Sequence, residues 1–164
     1  MIVVSNTSPL TNLAAIGKFD LLQCLYTHIH IADGVWEELQ AGGKPWPGYD
    51  QVNTADWIER HTVENQSLVK ALQSDLDRGE AESIALALEL KADWVLMDER
   101  AGRHAAQRLG LQVVGVIGIL LEAKAQHQIE QVVPLLDGLR QVAGFYVSHA
   151  LYQRVRELAG EDTP

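Results

Sequence analysis

The sequence has one cysteine, little positive charge and no long apolar run. Cys24 stands in the leucine-rich stretch "LLQCLY", so a disulfide framework is excluded and a buried, inert thiol is expected. No apolar run approaches the roughly 20 residues of a membrane span. The start also lacks the basic region and cleavage site of a signal peptide. We therefore expect a cytoplasmic protein with no membrane contact.

Positive charge is scarce, because 13 Lys and Arg residues stand against 22 Asp and Glu residues, for a net charge of −9. This balance argues against a protein that holds nucleic acid mainly by bulk electrostatics, and leaves local contacts open. An acidic excess is also typical of carboxylates gathered around a divalent cation. The sequence lacks a glycine-rich phosphate loop and a G-x-S-x-G serine-hydrolase elbow.

Apolar runs and helical patterns alternate along the chain. The 164 residues suffice for one domain with its own core, expected to span residues 1–164. Runs at residues 2–5, 28–32, 93–97 and 111–116 predict strands, and helical patterns lie between them. The alternation predicts an α/β fold with a mostly parallel sheet covered by helices on both faces. Three further helices are expected within about residues 116–160, with a break at "AGFYVS".

Two helix ends are predicted from local signals. Ser8 is a candidate N-cap, with Pro9 at the first helical position, where its missing N–H costs nothing. Gly42 and Gly43 are expected to close the short helix "GVWEELQAGG" before the long loop "GGKPWPGYDQ".

In an open parallel sheet, ligands bind outside the carboxyl ends of the strands. The polar residues that directly follow predicted strands are Asn6, Thr7 and Ser8, then Asp33, then Asp98 and Glu99. These positions are therefore the first candidates for a functional site.

Glu80 lies in "GEAESIALALELK", the strongest helical pattern of the chain. At 100° per residue it falls within about 40° of Ile84, on the apolar face. Glu82 falls on the polar face and is expected to be solvated. The plainer alternative for Glu80 is a first-turn acid that is favoured by the helix dipole and turns outward into water.

Glu38 and Asp98 are two further acids that are candidates for the same site as Glu80. Glu38 lies nearer than Glu37 to the apolar side of its helix, although a surface acid is the plainer reading. Asp98 ends a strand, although it could serve only as an N-cap. If these acids face one crevice with Glu80, they form a site with oxygen ligands, which suits Mg²⁺ or Mn²⁺. Such an ion can support cleavage of a phosphodiester.

Four segments in this order resemble the PIN-domain family, and most closely its branch of short prokaryotic predicted nucleic-acid-binding proteins. The segments are "VVSNTSPLTNLAAIGKFDLL", "GVWEEL", "GEAESIALALEL" and "WVLMDERAGRHAAQRLGLQVVG". The resemblance covers about residues 2–125 and implies a three-layer α/β/α sandwich. It also implies a Mg²⁺- or Mn²⁺-dependent ribonuclease, often the toxin of a toxin–antitoxin pair.

The resemblance also implies a set of site residues. The acids of the family fall at Glu38, Glu80 and Asp98, and a hydroxyl near the first acid is matched by Thr7 or Ser8. The family's first acid falls at Asn6, whose amide oxygen can still ligate a cation but adds no charge. Full catalytic rate and a second metal ion are therefore open questions.

Substrate contacts on so acidic a chain are expected to be local. Arg100 and Arg103 follow Asp98, and Lys44 lies in the long loop, so these cations could hold phosphates near the metal. The candidate partners are single-stranded RNA, an antitoxin protein and a second copy of the chain. The alternative to a nuclease is a module that keeps the fold, has lost turnover and binds RNA or a protein.

Overall fold

The computed structural model describes residues 1–41 and 46–162, and a parallel sheet lies at its centre. The strands in chain order are β1 (Val3–Ser5), β2 (Ile29–Ala32), β3 (Ile58–His61), β4 (Trp94–Leu96) and β5 (Val113–Val114). They lie side by side in the order β3-β2-β1-β4-β5, and every neighbouring pair is parallel. The predicted parallel sheet is confirmed.

Helices connect the strands, and a run of three helices ends the chain. Those of the first half are α1 (Thr7–Ala15), α2 (Leu21–Tyr26), α3 (Asp33–Gln40), α4 (Tyr49–Thr54) and α5 (Gln66–Leu72). Those of the second half are α6 (Arg78–Leu90), α7 (Arg100–Arg108), α8 (Val116–Ala125), α9 (Val133–Gln141) and α10 (His149–Ala159). Within the described ranges, none of these helices has the length and apolar character needed to cross a membrane.

Alternate strand residues face two separate hydrophobic cores. Val3 and Leu96 are fully buried in the larger core, with apolar side chains from α1, α2, α3 and the three C-terminal helices. Val4 and Val95 point the other way and pack with α5, α6 and α7. Side chains of a strand alternate between its faces, so each face takes its own layer of helices. The three-layer α/β/α sandwich is therefore confirmed.

Four elements were not predicted individually, namely α2, β3, α4 and α5. The strand β3 reads "IERH" and has no apolar run, because it lies at the edge of the sheet and two of its four residues are exposed. Charged residues are common on such edges, where they discourage pairing with other chains. A search for runs of apolar residues therefore does not detect β3.

The predicted start of α1 is wrong by two residues. Asn6 occupies the N-cap position, and Ser8 lies inside the first turn with Pro9 beside it. The Ser8 hydroxyl donates to Glu99 instead of capping the helix. Pro9 remains harmless because it is still within the first turn, where N–H groups have no intrahelical partner. Gly42 and Gly43 lie outside the described residues, and α3 ends at Gln40.

The prediction of a buried Cys24 is also wrong, since the residue is exposed. The helix α2 is short and turns only Leu21 and Leu22 fully into the core. Its next two residues face solvent, so the leucine-rich context does not enclose the thiol.

A single carboxylate, that of Glu161, ties the C-terminal segment to the start of α9. It accepts hydrogen bonds from the backbone N–H groups of Val132 and Val133, at 2.8 and 3.0 Å, and from Lys124 Nζ at 2.8 Å. Burial alone would raise the pKa of Glu161. The hydrogen bonds from Lys124 and the two N–H groups outweigh it and hold the pKa below its usual range.

Glu161→Gln is expected to lower the free energy of unfolding at neutral pH by about 1–2 kcal/mol, because a charged acceptor of three hydrogen bonds becomes neutral. A lowered folded-state pKa stabilises above the unfolded-state pKa, so the difference should shrink as the pH falls into the acid range. Urea denaturation at several pH values measures both effects. Glu157→Gln is the control, since that side chain is 57% exposed; an equal loss in both variants would contradict the prediction.

Candidate functional site

Polar side chains meet at the carboxyl edge of the two central strands. Ser5 of β1 lies opposite Leu96 of β4, and the Asn6 backbone N–H donates to the Leu96 carbonyl at 2.9 Å. The residues that follow both strands are thus brought together. The helices α3 and α6 pack against one another beside this edge and add their own acids.

Asn6 is 3% exposed and uses only half of its amide. Its Nδ2 donates to Glu99 Oε2 at 3.1 Å, whereas its Oδ1 is buried without a hydrogen-bond donor. That oxygen faces Gly79, where an added Cβ would stand 3.3 Å from it. An unpaired buried acceptor is costly, so it calls for a partner of positive character.

Glu38 is exposed, and its carboxylate lies beside Gly79 at the border of the same space. Thr7 Oγ1 donates to Glu38 Oε2, and Glu38 Oε1 lies so close to Gly79 that an added Cβ would overlap it. Partial burial raises the pKa of Glu38, the Thr7 hydrogen bond opposes this rise, and the charges of Asp77 and Glu99 add to it. The carboxylate of Glu38 thus contacts Thr7, while the residue is exposed, as the surface-acid alternative expected.

Glu80 is 8% exposed, so the inward orientation predicted from its helical position is confirmed. Asp77 caps α6 by accepting the Glu80 backbone N–H at 2.8 Å. Glu80 Oε2 lies over Gly102 of α7, where a Cβ would stand 2.8 Å away. Burial, followed by the adjoining Asp77 carboxyl and the charge of Glu99, raises the pKa of Glu80 to about 7.

The prediction that Glu82 is solvated is wrong, because this residue is 4% exposed. The helix α3 covers the face of α6 that carries it, which a wheel drawn for α6 alone cannot show. Glu82 accepts from the Gly34 backbone N–H at 3.2 Å and pairs with Arg78 Nε at 2.6 Å. Its charge is thus compensated, and Glu82 joins the two helices.

Glu99 was among the candidate positions after a strand but was not predicted as a ligand, and Asp77 was not a candidate. The Glu99 carboxylate accepts from the Ser8 hydroxyl as well as from Asn6, and its charge raises the pKa values of Glu38 and Glu80. Its position directly after a strand was the available signal. The neighbouring Asp98 has the same signal, so the sequence could not separate the two.

Asp98 lies at the same edge but turns toward α8. Asp98 Oδ1 accepts from the Val116 backbone N–H at 2.8 Å, and Oδ2 is 3.5 Å from Asn12 Nδ2. Burial raises the pKa of Asp98, and the Val116 hydrogen bond opposes the rise. Both oxygens therefore already have donors, and a role as metal ligand stays a prediction for this residue.

The predicted basic residues are only partly drawn into the site. Arg103 Nη1 donates to the Met97 carbonyl at 3.0 Å, close to Asp98, whereas Arg100 is exposed. Lys44 lies outside the described residues. Asp33 begins α3 and accepts from Arg60 and Thr62, apart from the other acids.

We call Asn6, Glu38, Asp77, Glu80 and Glu99 the acidic cluster. Within residues 1–41 and 46–162, no ion pair joins a Lys, Arg or His to any carboxylate of this cluster. The donor set consists of oxygen atoms, with one buried amide oxygen unpaired among carboxylates that repel one another. Oxygen donors of this kind suit a hard divalent cation such as Mg²⁺ or Mn²⁺. Within residues 1–41 and 46–162 no three of these carboxylates bring oxygens within 4.8 Å of one another, so an ion would have to draw them together.

Comparison with known proteins places the chain in a family. A family model described as DUF3368, PIN domain, matches residues 2–161, which is nearly the whole chain. The comparison with curated proteins found no match.

In protein freed of metal by a chelator, Glu80→Gln is expected to stabilise the fold at about pH 8 by about 1–2 kcal/mol, after allowance for solvent screening. A carboxyl whose folded-state pKa is raised costs stability once it ionises, so stability should fall as the pH rises through about 7. The gain should be much smaller at about pH 5. Denaturant unfolding measures it, with the exposed Glu130→Gln as control; a pH-independent effect would contradict the assignment.

Proposed function

The chain belongs to the PIN-domain family, whose members are generally metal-dependent nucleases, and from this premise we propose that it is a Mg²⁺- or Mn²⁺-dependent endoribonuclease. The observation that carries the proposal is the unpaired Asn6 Oδ1 beside the Glu38 carboxylate, both against Gly79. Two facing acceptor oxygens with no donor between them are stabilised by a cation.

Asn6, Glu38, Glu80 and Glu99 would hold the ion, and Asp98 remains the predicted fourth carboxylate of the set. A divalent ion bound there would polarise a phosphoryl oxygen and lower the pKa of a water molecule. The second possible ion stays open, since Asn6 supplies no charge.

The hydroxyl groups of the first turn of α1 orient two of these carboxylates. Thr7 donates to Glu38, and Ser8 donates to Glu99. Thr7 fixes one oxygen of Glu38, whereas both oxygens of Glu99 accept hydrogen bonds, Oε1 from Ser8 and Oε2 from Asn6 Nδ2. Pre-orientation of this kind removes the cost of ordering the ligands when substrate binds.

The protonation state of the Glu80 carboxyl changes near neutral pH. With a pKa of about 7, its carboxyl group holds a proton on about half of the molecules at neutral pH in the metal-free protein. Loss of that proton provides a negative oxygen toward the cluster. Because the proton competes with a metal ion for this carboxylate, Mn²⁺ affinity should increase as the pH rises from about 6 to about 8.

RNA is the proposed substrate, and a groove beside Asp98 offers a place for its bases. The cavity measures about 370 Å³ and is lined by Arg103, Phe145, Tyr146 and Leu151, among others. Tyr146 is 84% exposed, so its ring is available to stack on a base. Aromatic stacking with a nearby cation is the usual way in which unpaired bases are held, and this supports a single-stranded substrate.

We further propose that the nuclease acts as the toxin of a toxin–antitoxin pair and binds an antitoxin protein. The support is the family resemblance, together with apolar side chains exposed on and between the C-terminal helices, Val142, Tyr146, Leu151 and Leu158. Such side chains fit a protein partner, which could equally be a second copy of the chain. Growth arrest on expression that Glu80→Gln relieves would support the toxin role, and unimpaired growth on wild-type expression would oppose it.

The alternative, a module that binds without turnover, is favoured by one observation, the neutral amide of Asn6. That amide donates to Glu99 at 3.1 Å, so an aspartate there would bring two carboxylates together. The cluster as it stands is thus electrostatically easier to assemble without metal, at the cost of a weaker hold on the cation.

Purified protein is expected to cleave single-stranded RNA in Mn²⁺ and to stop when a chelator removes the ion. Glu80→Gln and Glu99→Gln should each lower the rate by about 100-fold or more, because each removes a ligand charge. Glu130→Gln is the matched control. Asp98→Asn should also reduce thermal stability, because Asp98 holds the start of α8, so Glu99→Gln is the cleaner test.

Two results would contradict this proposal. Cleavage that survives in both Glu80→Gln and Glu99→Gln would place the activity elsewhere or in a contaminant. Silence in the wild type with cleavage in Asn6→Asp would establish the binding module, whose chemistry is switched off by one missing charge.

Gly79→Ala tests the position of the cation directly. The new methyl group would displace the Glu38 carboxylate and crowd Asn6 Oδ1, so Mn²⁺ affinity is expected to fall about tenfold or more. The fold should hold, since alanine is favoured over glycine in helices by about 1 kcal/mol. Calorimetric Mn²⁺ titration measures the affinity. Gly138→Ala, where the methyl would meet only Ile16, is the control; equal affinities in the two variants would refute the placement.

A further inference from the structure

A second group of ligand-type side chains lies on the edge of the sheet, away from the acidic cluster. His30 of β2 stands opposite Glu59 of β3, and Ala32 stands opposite His61. Because alternate residues of a strand share a face, His30, Glu59 and His61 project from the same face of the sheet. The pairing register of two adjacent strands thus brings two imidazoles and one carboxylate together.

The distances between the potential ligand atoms are short. His30 Nδ1 lies 2.9 Å from His61 Nε2, and the Glu59 carboxylate oxygens lie 3.6 Å from His30 Nδ1 and 3.8 Å from His61 Nε2. The histidine side chains are 17% and 22% exposed, whereas that of Glu59 is 65% exposed. Two ligands are therefore held by packing, and the third can move onto an ion from solvent.

This spacing is close to what a tetrahedral zinc ion requires. Zn–N and Zn–O bonds of about 2.0–2.1 Å separate neighbouring ligand atoms of a tetrahedron by about 3.4 Å. The His–His distance is somewhat shorter and the two His–Glu distances somewhat longer, so small side-chain adjustments would equalise them. The exposure of Glu59 leaves solvent to supply a fourth ligand.

The chemistry of this group differs from that of the acidic cluster. Imidazole nitrogen favours Zn²⁺ and related transition-metal ions, whereas Mg²⁺ prefers oxygen ligands. None of the three residues forms a hydrogen bond or ion pair with a member of the acidic cluster in the described part of the chain. The two sets can therefore be loaded separately.

We propose that His30, Glu59 and His61 form a binding site for a transition-metal ion of the Zn²⁺ class, which fastens the edge strand β3 to β2. The strand β3 has a sheet neighbour on one side only, so an ion that bridges it to β2 adds a crosslink where backbone pairing ends. An ion that binds only the folded chain stabilises it in proportion to its occupancy.

The test is Zn²⁺ binding by wild-type protein in a large excess of Mg²⁺, which competes for oxygen-only sites. Calorimetry gives the affinity and stoichiometry, and thermal unfolding gives the stabilisation. Co²⁺ in place of Zn²⁺ reports coordination through its visible absorption. The variants are Glu59→Gln and His61→Gln, with His149→Gln, an exposed histidine at the start of α10, as the matched control.

The expected result is one Zn²⁺ per chain, a rise in the unfolding temperature, and a loss of affinity of about tenfold or more in Glu59→Gln and His61→Gln only. Glu59→Gln keeps the test decisive if His61→Gln does not fold, because the Glu59 side chain is mostly exposed. Unchanged affinity in Glu59→Gln, or a loss caused by Glu80→Gln instead, would overturn the proposal. Neither outcome depends on whether the protein cleaves RNA.

Discussion

Carboxylates that are partly buried and carry like charges, above all Glu80 beside Asp77 and Glu99, are the constraint that shapes this edge of the fold. Burial raises the pKa values of Glu38 and Glu80, and the charges of Asp77 and Glu99 add to the rise. Within residues 1–41 and 46–162 no ion pair to a basic side chain offsets it, so ionising these acids costs free energy. The first turn of α1 limits this cost, because Thr7 and Ser8 each donate a hydroxyl hydrogen to one carboxylate. Hydroxyl groups do not cancel charge, so the acidic cluster keeps a negative charge that a bound cation would compensate.

The helices around that edge pack closely because two positions, Gly79 and Gly102, carry no side chain. Gly79 lets the Glu38 carboxylate and the Asn6 amide oxygen approach the first turn of α6, and Gly102 lets Glu80 rest on α7. A methyl group at either position would move a carboxylate outward by filling the space that it occupies. The buried Glu82 has the opposite arrangement, since Arg78 and the Gly34 N–H neutralise it and make it a joint between α3 and α6. Burial alone therefore does not distinguish Glu80 from Glu82; what differs among the described residues is that Glu82 has an ion pair and Glu80 has none.

Sequence patterns predicted the fold better than the details of the site, for physical reasons. Buried central strands such as β1 and β4 must be apolar on both faces, so their runs stand out, whereas the edge strand β3 need not be. The inward direction of the Glu80 side chain could be predicted from the helical pattern of α6 alone. That of Glu82 depended on α3 lying across α6, a tertiary contact that no helical wheel contains. The hydrogen bond from the Val116 N–H to Asp98 depends on the position of α8, which the sequence around Asp98 does not contain.

The amide at position 6 is best understood together with Glu99. In the described structure, the residues that follow β1 supply two donors to the Glu99 carboxylate, the Asn6 Nδ2 group and the Ser8 hydroxyl. An amide can offer a hydrogen to Glu99 and an acceptor oxygen to an ion at the same time, because its two ends differ. A carboxylate offers only acceptors, so it would bind an ion more strongly and would repel Glu99 whenever the ion is absent. An amide at position 6 would thus lower the affinity for a metal ion and favour the stability of the metal-free site.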